Sequence, residues 1–255
     1  MWRVLCLSIM LSLNTLATAH GDAPDLTELR YLTEDYPPFN YRHDDQIAGI
    51  SIDLLRAIWQ RTGVQRQKIE LLPWARAYHE LKLYPNTVLF AVAKTQDREP
   101  MFKWACPIVS TRYVLFAQKA SNIQIAHASE LNMFTIGTIR ADVGEQALLG
   151  LMEEPINILS NVTMRPNLEL MDKGRVHMIA YDELAAPQML SEFGRDPEQF
   201  EIVFPIVSSV TCFAFNRKTD DAIVDLFQRQ LSEITAAPEY QRLIRQHFQS
   251  PKVTP

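Results

Sequence analysis

The sequence predicts an α/β fold made of two units, each a parallel-rich sheet with helices on its faces. Short apolar runs suited to strands alternate with amphipathic helical stretches, and the alternation restarts midway along the chain. Such a strand-helix rhythm builds parallel sheets, because a helix must carry the chain back before the next parallel strand. A 255-residue chain that is 47% hydrophobic can fill one large core or two smaller ones.

The elements follow in order. Leu29 to Thr33 reads as a strand running into the rigid turn Glu34-Asp35-Tyr36-Pro37-Pro38. Ser51 precedes Ile52, Leu55, Ile58 and Trp59 at helical spacing, and Gly63 follows, which predicts a helix capped by Ser51 at its start and by the glycine at its end. Ile69 to Leu72 is a second strand, Trp74 to Leu83 a second helix and Val88 to Ala93 a buried strand. After Lys119 come strands over Phe134 to Ile139, Ile156 to Leu159 and Val176 to Ala180, with helices over Val143 to Leu151 and near Leu168 to Lys173. Thr211 to Phe215 is a further strand, and Ala222 to Ile234 and Tyr240 to Phe248 close the chain as helices before a loose tail from Ser250 to Pro255. Short strands joining the two units are expected to act as hinges.

The N-terminus has the pattern of a secretory signal: Arg3, an apolar stretch from Val4 to Leu16, and Ala17-Thr18-Ala19 as the cleavage site, with the cut expected after Ala19. The stretch is too short to span a membrane. Cleavage removes one basic residue and moves the formal net charge from −5 to −6, which does not suit nucleic acid. Of the three cysteines only Cys106 and Cys212 survive. An oxidising compartment permits one bridge between them, and the alternative is two buried small apolar side chains.

Open α/β sheets bind ligands beyond the carboxyl ends of their strands. The loops after Thr33, Leu72, Ala93, Ile139 and Ala180 hold Tyr36, Trp74, Arg76, Arg98, Arg140 and Asp182. Aromatics, arginines and an acid gathered there suit a small ligand carrying a carboxylate and an amine. Each also has an ordinary reading: an arginine as a solvated charge, Asp182 as a helix cap, Trp74 and Tyr36 as core. Asp53, in a first helical turn, reads as a structural complement to the helix dipole.

The ordered set Tyr36-Pro37-Pro38-Phe39, Gly49 with Asp53-Leu54, Thr95-Gln96-Asp97-Arg98, Gly174-Arg175-Val176-His177 leading to Tyr181-Asp182, and Pro238-Glu239-Tyr240-Gln241-Arg242-Leu243-Ile244 resembles family 3 of the periplasmic solute-binding proteins. The resemblance implies a two-lobed type II periplasmic binding protein fold whose lobes are joined by two hinge strands: residues 20–112 and 206–255 in the first lobe, 113–205 in the second, behind a signal over 1–19. It implies a monomer in the periplasm that binds an amino acid or related small carboxylate and delivers it to an inner-membrane ABC permease, with no cofactor, metal or nucleic acid. It also implies that Arg98 takes the ligand α-carboxylate and Asp182 its α-ammonium, while Tyr36, Phe39 and Trp74 pack the ligand side chain.

The chain departs from the family pattern in places. Tyr84-Pro85-Asn86-Thr87 replaces a Gly-x-x-Asp turn, and Pro73-Trp74-Ala75-Arg76 resembles a less studied branch. Ala91 and Ala93 stand where the family often has hydroxyl residues that help hold the carboxylate, and the resemblance still implies Ala93 as a ligand-site position. Thr33 replaces an acid found in some binders of basic amino acids, which counts against a cationic side chain. Arg76 and Arg140 are candidates for a second carboxylate clamp.

Among other classes, the six histidines show no metal spacing, and no Gly-x-Ser-x-Gly, phosphate loop or cysteine-histidine arrangement is present. No catalytic residue is assigned. The alternative is an enzyme on the same scaffold, similar to cyclohexadienyl dehydratase, which would need a general acid; Glu34 and Asp35 flank the pocket, and nothing in the sequence marks either pKa as raised. A soluble sensor that docks on a membrane receptor is a third class.

Overall fold

A computed structural model describes residues 24–151 and 155–248. The signal read over residues 1–19 and the tail from Ser250 lie outside the described residues. Among the described residues, no helix is long and apolar enough to cross a membrane.

The first half begins with β1 (Arg30–Thr33), followed by a short hairpin of β2 (Tyr41–His43) and β3 (Gln46–Ala48) that the sequence reading did not foresee. α1 (Ile50–Thr62), β4 (Ile69–Leu71), α2 (Trp74–Leu83) and β5 (Thr87–Lys94) follow. The second half contains β7 (Thr135–Ile139), α3 (Val143–Leu151), β8 (Asn157–Asn161), α4 (Arg165–Asp172), β9 (Met178–Asp182) and α5 (Ala186–Glu192). Two sixteen-residue strands, β6 (Lys103–Gln118) and β10 (Phe200–Phe215), run through both halves, and α6 (Asp221–Ala236) and α7 (Pro238–Phe248) end the described chain.

The strand order is β4-β1-β5-β10-β6-β9-β7-β8. β4, β1 and β5 are parallel, as are β8, β7 and β9, while β6 and β10 lie antiparallel to each other and to the strands beside them. The fold is thus the expected two-lobed, parallel-rich α/β architecture. β10 pairs with β5 through Val210 to Phe215, and β6 pairs with β9 through Tyr113 to Phe116, so the two long strands carry the ladder from one half to the other.

Three expectations are corrected. The connecting strands are long, whereas the sequence pattern predicts short ones, with no strand over β6 and only Thr211 to Phe215 of β10. Polar residues such as Thr111-Arg112 and Ser208-Ser209, together with Pro107 and Pro205, break the alternation that marks a strand. The helix α1 starts one residue earlier than Ser51 and its N-cap is Gly49; the Ser51 hydroxyl is buried without a partner. Gly49 sits at φ +119°, and a Cβ there would lie 2.3 Å from the carbonyl oxygen of Phe39, so only glycine fits. The strand placed over Val176 to Ala180 runs instead from Met178 to Asp182, which makes Asp182 a strand end.

Cys106 and Cys212 form a disulfide that ties β6 to β10. Asp53 pairs with Arg56 in its own helix and with His247 of α7, consistent with its structural reading.

Candidate functional site

Arg98 follows β5 and is 1% exposed. Its guanidinium lies against the edge of a ring pair, 5.0 Å from the Trp74 centroid and 5.1 Å from that of Tyr78. These two aromatics are four residues apart on α2 and stack on each other, as helical spacing dictates. From the other half, Gln146 Oε1 accepts from Arg98 Nε at 3.0 Å and the Ala141 carbonyl accepts from Nη2 at 3.3 Å. The Trp74 indole donates to the same carbonyl at 2.9 Å, and the Gln146 amide donates to it at 3.2 Å. One carbonyl therefore gathers donors from both halves. Ala141 has φ +59°, a left-handed conformation that costs a non-glycine residue about 1 kcal/mol. Arg98 Nη1 is buried with no partner.

Asp182, at the end of β9, is 0% exposed. Its Oδ1 accepts from the backbone N–H of Leu184 and Ala185, so the helix-capping reading describes half of this carboxylate. Its Oδ2 is buried and unpartnered. Burial pushes the pKa up to about 6, and Thr111, the two backbone donors and Tyr36 offset part of the shift.

Around these charges stand tyrosines from three segments. The Tyr36 and Tyr113 hydroxyls are 3.3 Å apart, and Tyr181 meets the Tyr36 ring edge-on. Burial raises the pKa of all three well above the ordinary phenol value, with nearby carboxylates adding to it, so they remain neutral hydroxyls. Two further acids share the cleft. Glu34 is pushed well above the ordinary carboxylate range, mainly by burial and also by Asp142, with Arg98 opposing; Asp142 is raised by burial, with Arg98 again opposing. The raised Glu34 was not visible in the sequence.

Of the residues singled out from the sequence, Tyr36, Trp74, Arg98 and Asp182 are buried around this cleft. Phe39 is a core residue stacked on Tyr36 and met by Phe248. Ala93 is buried in a small cluster with Tyr113 and Val143. Arg76 and Arg140 do not join. Arg76 has a side chain 66% exposed and pairs with Glu80, because it lies two positions from both Trp74 and Tyr78 and so projects from another face of α2. Arg140 is exposed. The sequence reading missed Tyr78, Tyr113, Tyr181, Asp142 and Gln146. Tyr78 was accessible from its spacing to Trp74, and Tyr181 from its place beside Asp182.

Beside the charged cluster lies a chamber of about 270 Å³ whose walls come from both halves, including Trp74, Ile139 and Tyr181. Similar chain folds are found among solved structures. The arginine-, lysine-, histidine-binding protein ArtJ from Geobacillus stearothermophilus superposes with TM-score 0.70 at 18% identity, over 88% of this chain and 97% of that one. An ancestral arginine-binding protein bound to arginine gives 0.73 at 18% identity, over 86% and 97%. A histidine kinase sensor domain with similarity to periplasmic binding proteins gives 0.75 at 17% identity, over 88% and 97%. No curated protein sequence matches the chain. A family model does match, over residues 29–250, and with the fold above it establishes that this chain belongs to the bacterial extracellular solute-binding proteins, family 3.

Proposed function

We propose that this chain is an exported, non-catalytic binding protein that closes its two lobes on a small carboxylate ligand, an amino acid, and presents it to an inner-membrane ABC permease. The observation that carries this reading is the pair of buried, incompletely satisfied charges on opposite lobes. Arg98 Nη1 and Asp182 Oδ2 each lack a partner, and burying such groups unpaired costs several kcal/mol. A zwitterion between them supplies a carboxylate to the first and an ammonium to the second. Because the two come from different lobes, the ligand is held best when the cleft is shut. The lobes are taken as 20–112 with 206–255, and 113–205; the bend falls where β6 and β10 cross, around Ser110 to Tyr113 and Val207 to Val210. Family membership and the amino acids named for the structural relatives support the reading.

The test is a thermal-shift screen of the mature, ligand-stripped protein against amino acids, dicarboxylates, prephenate-like compounds and short peptides. A ligand at a hundred times its dissociation constant should stabilise by about 2.7 kcal/mol. A hit confined to amino acids is expected. A hit confined to prephenate-like dicarboxylates would sink the reading and make Glu34, with its raised pKa, a candidate general acid. The excess of carboxylates over cations in the cleft stands against that outcome.

A pH dependence follows from Asp182. Its pKa in the fold is raised from 3.8 to about 6, so the folded state holds a proton that the unfolded chain has lost between those values. This carboxylate therefore makes the ligand-free protein less stable as pH rises through that window. Ligand ammonium needs the ionised form, so affinity should fall below about pH 6, approaching tenfold per pH unit if the protonated form does not bind. Calorimetry across that range checks it. Glu34 and Asp142 titrate in the same cleft, so Asp182→Asn identifies the share due to Asp182; an unchanged pH profile in that variant would remove Asp182 from the ammonium role.

A further inference from the structure

The chamber beside the Arg98 and Asp182 pair has a composition of its own. Its walls are largely apolar, with Leu71 and Trp74 from one lobe and Ile139, Met164, Met189 and Phe193 from the other. Three carboxylates reach the same space: Glu34 and Asp35 from the loop after β1, and Glu192 from the end of α5. Among the described residues none of the three forms an ion pair with a lysine, arginine or histidine. Glu192 accepts from Gln188 and Asp35 from a backbone N–H. The acids also feel one another across the cleft: burial raises the Glu192 pKa and Asp35 adds to the rise. Two walls border the residues that carry the unpartnered buried charges: Tyr181 meets Tyr36, whose side chain acts on Asp182, and Trp74 lies beside the Arg98 guanidinium.

Closing the lobes therefore brings like charges together around an apolar space. Like carboxylates disfavour each other's ionisation, and a cation placed between them turns the repulsion into attraction. A neutral aliphatic side chain would fill the walls and leave the acids unpaired, and an acidic one would add to the repulsion. A small hydrated metal ion has no use for the apolar walls, and no metal-binding group of side chains is found among the described residues.

We propose that this chamber takes the ligand side chain, that this side chain is an apolar stem ending in an ammonium or guanidinium, and that Glu192 selects it by closing on the cationic end opposite Glu34 and Asp35. This rests on the amino-acid reading above. It also reverses the expectation drawn from Thr33: the negative charge comes from the next two residues in the chain and from the other lobe.

The experiment is calorimetric titration of the ligand-stripped mature protein with L-arginine, L-lysine, L-citrulline, L-norleucine and L-glutamate. Arginine or lysine is expected to bind at least about a hundredfold more tightly than its neutral counterpart, citrulline or norleucine, and Glu192→Gln to reduce that preference roughly tenfold. Glu34→Gln is the second variant, expected to shift the same ratio, and a melt of each variant reports folding independently of binding. If citrulline and norleucine bind as tightly as the cations, if only glutamate binds, or if both variants leave the preference unchanged, the inference is overturned while the amino-acid reading stands. If none of the five binds and no other amino acid stabilises the protein, both fall together.

Discussion

Replacing Arg98 with alanine is expected to weaken ligand binding by about 2–5 kcal/mol, the range seen when one partner of a buried charge pair is removed. At 1.4 kcal/mol per factor of ten, that is a loss of roughly thirty- to several thousandfold in affinity. The size follows from where the guanidinium sits. The stacked Trp74 and Tyr78 rings beside it and near-complete burial strip it of water, so a carboxylate paired with it is screened far less than one at the surface. It is also the cation that opposes the raised pKa values of Glu34 and Asp142; without it both acids should shift further upward. Arg98→Lys keeps the charge but loses the two-pronged donor and the flat stacking surface, and should recover only part of the affinity. Titration calorimetry of both variants, with a melt to confirm folding, is the check. Unchanged affinity in a folded Arg98→Ala protein would mean that the carboxylate binds elsewhere.

How much of this could be read from the sequence depends on what each feature rests upon. The helices α2 and α3 were placed with the bounds found in the structure, because their apolar residues repeat at helical spacing. Arg98 and Asp182 were singled out through their surrounding motifs, and both side chains are buried. The long strands β6 and β10 escaped because a strand that passes from one lobe to the other meets polar surroundings midway, and its pattern changes there. All three arginines come shortly after a strand, but only Arg98 turns into the cleft; for Arg76 the helix phase decides it. Trp74 and Tyr78 share the face turned to the cleft, and Arg76 cannot join them. Tyr113 was invisible for another reason. An aromatic on a strand is ordinarily core, and only the meeting of β6 with β9, which pairs Tyr113 with Asp182, brings its ring to the cleft.

Removing the Cys106–Cys212 bridge is expected to lower stability by about 2–5 kcal/mol, with little change in ligand affinity. The two cysteines are 106 residues apart, and a loop of that size loses enough freedom in the unfolded chain to account for about 4.7 kcal/mol in the entropic picture. The loop includes the whole of residues 113–205, the proposed second lobe, so the bridge ties together the two long strands that enter and leave it. Its position also bears on movement. Cys106 precedes the crossing region of β6, and its backbone N–H and carbonyl are both bonded by the Gln228 side chain of α6 at 2.7 Å. The bridge and Gln228 thus pin β6 to β10 and to α6 before Ser110 to Tyr113, where the proposed bend lies. Denaturant titration of the Cys106→Ser, Cys212→Ser double variant, beside the reduced and oxidised wild type, measures the loss. Equal stability of all three would show that the bridge does not constrain the unfolded chain. A large drop in affinity at unchanged stability would place its role in lobe closure instead.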